Sequence, residues 1–80
     1  MQGTRKDYAT NEIPKPGEYG KGMDGNWYCM PPETDLLGNL SQHTVVEHDD
    51  GSISVSPSIL ITGMNGSWHG YLERGIWRKV

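Results

Sequence analysis

The chain has 80 residues and a formal net charge of −3, from ten acidic and seven basic side chains. A sequence of this length makes one small domain, and its acidic balance excludes general nucleic-acid binding, which requires a basic surface. Only 34% of the residues are hydrophobic, phenylalanine is absent, and glycine and proline occupy 11 and 5 positions, so the core must be thin.

The single cysteine, Cys29, cannot form a disulfide within the chain and is typical of a reducing compartment. No apolar run approaches the length that spans a membrane, and the first residues lack the apolar segment of a secretion signal. We therefore predict a cytoplasmic protein without a membrane partner.

Residues 1–22 show no apolar periodicity, and Pro14 and Pro16 can continue neither a helix nor a central strand. We expect an extended or flexible N-terminal arm, either free or docked on its own domain or on a neighbouring subunit. A small β domain at residues 23–80 follows. Its first strand is predicted at residues 26–30, which are rich in aromatic side chains.

The next two strands are predicted on either side of Asp50 and Gly51. This pair lies between two β-prone runs, and glycine adopts the positive φ that tight hairpin turns require. After the turn, Ile53 and Val55 alternate with serines, which indicates a strand with one apolar face.

Pro57 predicts that this strand either ends or lies at an edge with a bulge, because proline has no amide donor. The apolar run at residues 59–61 then predicts a strand buried on both faces. A second hairpin is predicted from residues 67–72 and 76–80. The sequence thus predicts an all-β fold, a small and mostly antiparallel sheet or partly open barrel of about five strands.

A candidate binding face lies in the second hairpin. Tryptophan and tyrosine provide rigid contact area with a polar group, and both are common at binding hot spots. On a regular strand His69 and Tyr71 share one face, opposite Trp68. We single out six candidate binding residues: Trp68, His69, Tyr71, Arg74, Trp77 and His48. With phenylalanine absent, the two tryptophans also suit the core, which leaves binding to the other candidates.

No catalytic set is evident. The serines have no nucleophile elbow around them, and no glycine-rich phosphate loop occurs, so we expect a protein without enzymatic activity. Cys29, His43, His48 and His69 lack the paired spacing of zinc ligands. We therefore expect no cofactor, with a metal-stabilised β domain as an alternative.

Two segments resemble a group of small uncharacterised phage and prophage proteins. They are VEHDDGSISVSPSI at residues 46–59 and WHGYL at residues 68–72, the latter followed by GIW at residues 75–77. Some members of that group carry the label ammonia monooxygenase, for which this sequence offers no catalytic set. Many members place cysteines ahead of the histidine, whereas here Trp68 precedes it, so a metal role does not carry over.

The resemblance and the composition together predict a non-enzymatic phage-type binding protein, an inhibitor or modulator of a host protein or defence system. It would present one sheet face and its N-terminal arm to a host protein or to a second copy of itself. The alternative is a protein that binds a small nucleotide, with aromatic rings for the base and with Arg74, Arg78 and Lys79 for the phosphates.

Overall fold

The structure, a computed structural model, describes all of residues 1–80 and contains eight β-strands and no helix. In chain order the strands are β1 (Thr4–Arg5), β2 (Glu18–Lys21), β3 (Trp27–Cys29), β4 (Gly38–Asn39), β5 (Thr44–Glu47), β6 (Ile53–Gly63), β7 (Gly66–Glu73) and β8 (Ile76–Lys79). They form two four-stranded sheets, in the orders β1-β2-β3-β4 and β5-β6-β7-β8. The predicted all-β class is confirmed, and the sheets do not close into a barrel.

Three strands of the first sheet, β1, β2 and β4, come from segments with little sequence signal. β1 runs parallel to β2, and the other neighbours in this sheet are antiparallel. Beyond β1, the Lys6 and Tyr8 amides donate to carbonyls of β2, at 2.9 and 3.0 Å, so the chain continues alongside that strand. Gly20 permits this approach, because a Cβ there would lie 1.7 Å from the Lys6 carbonyl oxygen. The boundary predicted at residue 22 falls in the β2–β3 turn, so residues 1–22 belong to the same folded unit.

The second sheet follows the predicted hairpins. Gly51 has a φ of 88° in the β5–β6 turn, and Arg74 and Gly75 have φ values of 47° and 76° in the β7–β8 turn. β6 continues through Pro57 for eleven residues and has β5 and β7 on its two sides. The predicted bulge is present as a register shift between Val55 and Ile59, but the strand neither ends at the proline nor lies at a sheet edge.

The prediction of a strand buried on both faces is wrong, because β6 keeps the alternation of buried and exposed side chains through the bulge. Val55 pairs with Leu72 and Ile59 with Gly70, so β6 carries two extra residues between these pairs. Two extra residues preserve the alternation of faces, since side chains repeat with a period of two. Ile59 therefore stays in the core at 1% exposure, and Leu60 points outward at 63%.

One hydrophobic core joins the two sheets. Its buried members are Tyr19, Cys29, Leu36, Leu40, Ile53, Val55, Ile59, Trp68, Leu72 and Trp77. Trp68 and Trp77 supply the core volume that phenylalanine side chains provide in other proteins. The cluster holds ten of the twelve buried hydrophobic residues of the chain, and burial of each large side chain contributes about 1.5–3 kcal/mol.

The two edges of the second sheet differ. Beside β8, Gln2 forms an antiparallel bridge with Ile76. The Trp77 amide donates to the Met1 carbonyl and the Gly3 amide to the Gly75 carbonyl, both at 2.7 Å. The N-terminal segment therefore closes this edge, while β5 at the other edge pairs with β6 alone.

The structure has no helix of the length and apolar character needed to span a membrane.

Candidate functional site on the outer face of the second sheet

The side chains of β5–β8 that point away from the core form a continuous surface, here called the outer face. Along β7, Trp68, Gly70 and Leu72 are buried, while the residues between them are exposed. Cross-strand register places Leu60 beside His69, and Arg78 beside Tyr71. The outer face therefore brings together side chains from three neighbouring strands.

His69 and Tyr71 lie side by side on this face, as the regular alternation of β7 predicts. The Nε2 atom of His69 is 2.9 Å from the Ser58 hydroxyl, which fixes the imidazole against β6. The guanidinium of Arg78 lies 5.2 Å from the centre of the Tyr71 ring and forms an ion pair with Glu73. Both candidates are thus held in place by neighbours on adjoining strands.

His48 and Arg74 meet at a second point of the outer face, through Ser54. The Ser54 hydroxyl lies 2.8 Å from His48 Nε2 and accepts a hydrogen bond from the Arg74 amide at 3.0 Å. This contact fastens both hairpin turns to β6. The side chain of Arg74 forms no ion pair, so the structure ties this candidate in through its backbone.

Trp68 and Trp77 do not belong to the exposed face. They are 5% and 3% exposed, and their rings pack edge to face with centroids 5.4 Å apart. The Trp77 indole N–H donates to the Gly17 carbonyl at 3.0 Å. The candidate binding role for these two residues is corrected to a core role, because their strands turn them towards the first sheet.

A cavity of about 430 Å³ opens on the outer face at the β6 bulge. Serines 54, 56 and 58 line one side, and Tyr71 and Arg78 line the other. The bulge makes this hollow, because two extra residues push the middle of β6 out of register with β7. The outer face therefore has a concave region as well as exposed apolar side chains, and both are features of a surface that recognises a partner.

Two serine–histidine pairs on this face have the separation of a nucleophile and its base: Ser54 with His48, and Ser58 with His69. A working pair also needs a third group that orients the imidazole, commonly a carboxylate. In both pairs the other ring nitrogen has no hydrogen-bond partner in the chain. The pairs therefore lack the geometry of a catalytic triad.

The metal alternative receives no geometric support. No group of three or more histidine, cysteine, aspartate or glutamate side chains is placed to hold an ion. Cys29 is fully buried in the core, and burial raises the pKa of its thiol to about 12. His48 and His69 instead bond to serines of β6.

The nucleotide alternative requires an aromatic ring that a base can stack on, close to free cations. The largest cavity, of about 740 Å³, has Trp68 and Trp77 at its base. Both rings are almost completely covered, and the charged side chains of its lining are Lys79, Glu33 and Asp35. Arg74 and Arg78, two of the three cations that the nucleotide alternative requires, do not line this cavity, and its two covered rings offer a base no exposed face to stack on.

Sequence reasoning missed two parts of the site. Leu60 is an exposed apolar side chain at the centre of the outer face. The signal that could have found it is the alternation of strand side chains between two faces, which turns Leu60 away from the core when Ile59 points into it. Val46 is half-exposed at the margin of the same face. In a run of consecutive apolar residues the alternation is hidden, because every position favours burial.

No protein-family model matches the chain, and neither a curated protein nor a solved structure matches it.

Proposed function

We propose that this chain is a non-enzymatic binding protein of the phage type, which docks the outer face of β5–β8 on a host protein and so inhibits or modulates it. The observation that carries the proposal is the contrast between the two sheets. Tyr8 and the backbone of Lys6 cover the outside of the first sheet at Gly20. No segment of residues 1–43 bonds across the middle of the outer face in the same way.

The outer face carries exposed apolar side chains both at its centre and on its two edge strands. Leu60 is 63% exposed, Val46 51%, Ile76 45% and Tyr71 37%. Isolated apolar side chains are normal on any surface, but a cluster on one sheet face is typical of an interaction site. Tyrosine is among the residues that most often dominate the energy of an interface.

Polar side chains around this centre are already held in place. His69 is bonded to Ser58, and Arg78 is fixed by Glu73 and the Tyr71 ring. A partner that meets ordered side chains loses less conformational entropy on binding, at about 0.5–1.5 kcal/mol for each long side chain that needs no further ordering. The outer face is therefore organised before a partner arrives.

The resemblance to small phage proteins supports a host protein as the partner. Its segments, residues 46–59 and 68–77, fall within β5–β8 and the turns between them. The resemblance thus covers the sheet that carries the outer face.

A matched pair of variants tests the proposal. Leu60→Glu places a charge at the centre of the outer face, and Ile13→Glu makes the same change in a loop at the same 63% exposure. Each tagged protein is used to capture partners from a lysate of a bacterial host, and the bound proteins are identified by mass spectrometry. We expect one partner to be retained by the parent chain and by Ile13→Glu, and to be lost by Leu60→Glu.

The partner found in this way is then purified and titrated against the parent chain and Tyr71→Ala. Because tyrosine is a common hot-spot residue, we expect Tyr71→Ala to weaken binding by about tenfold or more. A partner that binds Leu60→Glu and the parent chain equally well would place recognition elsewhere, and the proposal would be wrong.

A further inference from the structure

Strand β5 lies at the edge of the second sheet, with β6 on one side and no strand on the other. The chain closes the opposite edge with residues 1–3 beside β8, but no backbone group outside β6 bonds to β5. Exposed edge strands are sites where another strand can add, and proteins commonly block them with a loop, a proline or a charge. Here β5 has neither a covering segment nor a proline.

The register shows which backbone groups are free. The His48 amide donates to the Ser52 carbonyl at 2.8 Å, and hydrogen-bonded pairs alternate along an antiparallel ladder. Val46 and Thr44 therefore bond towards β6, while the N–H and C=O groups of Val45 and Glu47 point outward. The open edge presents two donors and two acceptors in alternating positions.

We propose that β5 pairs antiparallel with β5 of a second copy of this chain, on a two-fold axis that passes beside Val46, so that the two second sheets join into one of eight strands. In this register Val45 of each copy exchanges two hydrogen bonds with Glu47 of the other. All four outward backbone groups on each edge are then satisfied, and the pairing is the same in both directions, as a two-fold interface requires.

The occupant is a second copy because the edge is complementary to itself. No segment of the chain other than β6 forms backbone hydrogen bonds with β5, so the chain itself does not pair with this edge. Val46 meets its own counterpart directly across the axis, where cross-strand side chains approach most closely. Thr44 lies opposite His48 of the second copy, which puts a hydroxyl beside an imidazole.

Charge does not oppose this pairing at the edge itself. Glu47 is the one charged residue of β5, and two copies would bring two such carboxylates near the axis. Each is already paired within its own chain, because the Arg5 guanidinium donates to Glu47 at 2.8 Å. The like charges that block many edge strands are therefore compensated here.

The surface area that the contact buries indicates how stable the dimer should be. β5 has only four residues, and one such strand pair buries much less than the roughly 1,200 Å² of a stable interface. The dimer should therefore be weak and should form reversibly as concentration rises. Sedimentation velocity across roughly 10 µM to 1 mM covers that range.

The test exploits the two-fold axis. Val46 is half-exposed and outward, so Val46→Glu and Val46→Lys leave the core intact while placing two like charges opposite each other. We expect each variant alone to dimerise at least tenfold more weakly than the parent chain. An equimolar mixture of the two should recover association, because Glu and Lys then face each other across the axis. Circular dichroism confirms that both variants keep the fold.

Leu60→Glu serves as the control, since it lies on the outer face but on the interior strand β6. It should leave the dimer unchanged, whereas it should abolish capture of the host partner, so failures of the two proposals are distinguishable. A parent chain that stays monomeric to about 1 mM overturns the inference. So does a dimer that resists both Val46 variants, or a mixture that fails to recover association.

Discussion

The Arg5 guanidinium lies 4.8 Å from the centre of the Trp27 ring, and the same group donates to Glu47 at 2.8 Å. Arg5 belongs to β1, Trp27 to β3 and Glu47 to β5, so one side chain connects the two sheets. It also bonds to Asp7 and to the Gly51 carbonyl. Arg5 is therefore a clamp across the sandwich rather than a solvated surface cation.

This clamp predicts an unequal effect of two arginine substitutions. Arg5→Ala should lower the free energy of unfolding by about 1–3 kcal/mol, because it removes a cation–π contact and a part-buried hydrogen bond to the Gly51 carbonyl as well as the exposed bonds to Asp7 and Glu47. Arg78→Ala, which removes an exposed ion pair, should cost no more than about 1 kcal/mol. Urea denaturation followed by tryptophan fluorescence measures both, and equal costs would contradict the clamp.

Asp7 makes stability depend on acid pH. Its hydrogen bonds from the Arg5 side chain and then from the Lys21 amide hold the pKa of this carboxyl below its usual range. A carboxyl whose pKa is lower in the folded chain stabilises the fold above its unfolded pKa of about 3.9. That contribution disappears as pH falls through the lower, folded value.

We therefore expect the melting temperature to hold between about pH 7 and pH 5 and to fall below about pH 4. Asp7→Asn should melt lower than the parent chain at neutral pH and approach it as the pH falls. Melting curves at a series of pH values, at constant ionic strength, test this. A difference between the two proteins that stays constant down to the lowest pH would refute the role of Asp7.

Cys29 should be unreactive in the folded protein. Its side chain is fully buried, and burial raises the pKa of the thiol to about 12, so almost no thiolate exists at pH 8. Iodoacetamide should modify it only after denaturant is added, at a rate that follows global unfolding. Mass spectrometry counts the added groups, and rapid stoichiometric labelling in native buffer would show that Cys29 is accessible.

Gly20 should tolerate no side chain. A Cβ at this position would meet the Lys6 carbonyl oxygen at 1.7 Å and the Tyr8 ring at 3.0 Å. Gly20→Ala should therefore displace residues 6–8 and destabilise the fold by about 3 kcal/mol or more, beyond the range of ordinary substitutions. Ser67→Ala, at an exposed strand position, should stay within about 0.5 kcal/mol. Hydrogen exchange of the Tyr8 amide reports the displacement directly.

The second sheet could be predicted because its signals are local. Glycine after Asp50 and after Arg74 identifies both hairpin turns, and a period of two assigns Ile53 and Val55 to the core. The runs expected to be strands correspond to β3 and β5–β8, with the two runs on either side of Pro57 joined in the single strand β6. Each has aromatic or β-branched residues and a turn at one end.

The first sheet could not be predicted in the same way. β1 and β4 have two residues each, and β2 contains Gly20, so none shows a periodic pattern. They exist because tertiary contacts place them, such as the hydrogen bond from Arg5 to Glu47 across 42 positions of sequence. The role of Val46 at an open edge likewise depends on which strands neighbour β5, which no short stretch of sequence encodes.

The closure of the β8 edge has a consequence for how the chain folds. Residues 1–3 bond to residues 75–77, and β1 immediately afterwards pairs with β2 of the other sheet. On a ribosome this segment is synthesised long before its partners, so it must stay unpaired until residue 77 has emerged from the exit tunnel. A nascent chain that stops short of residue 75 therefore lacks the β8 backbone groups to which residues 1–3 bond.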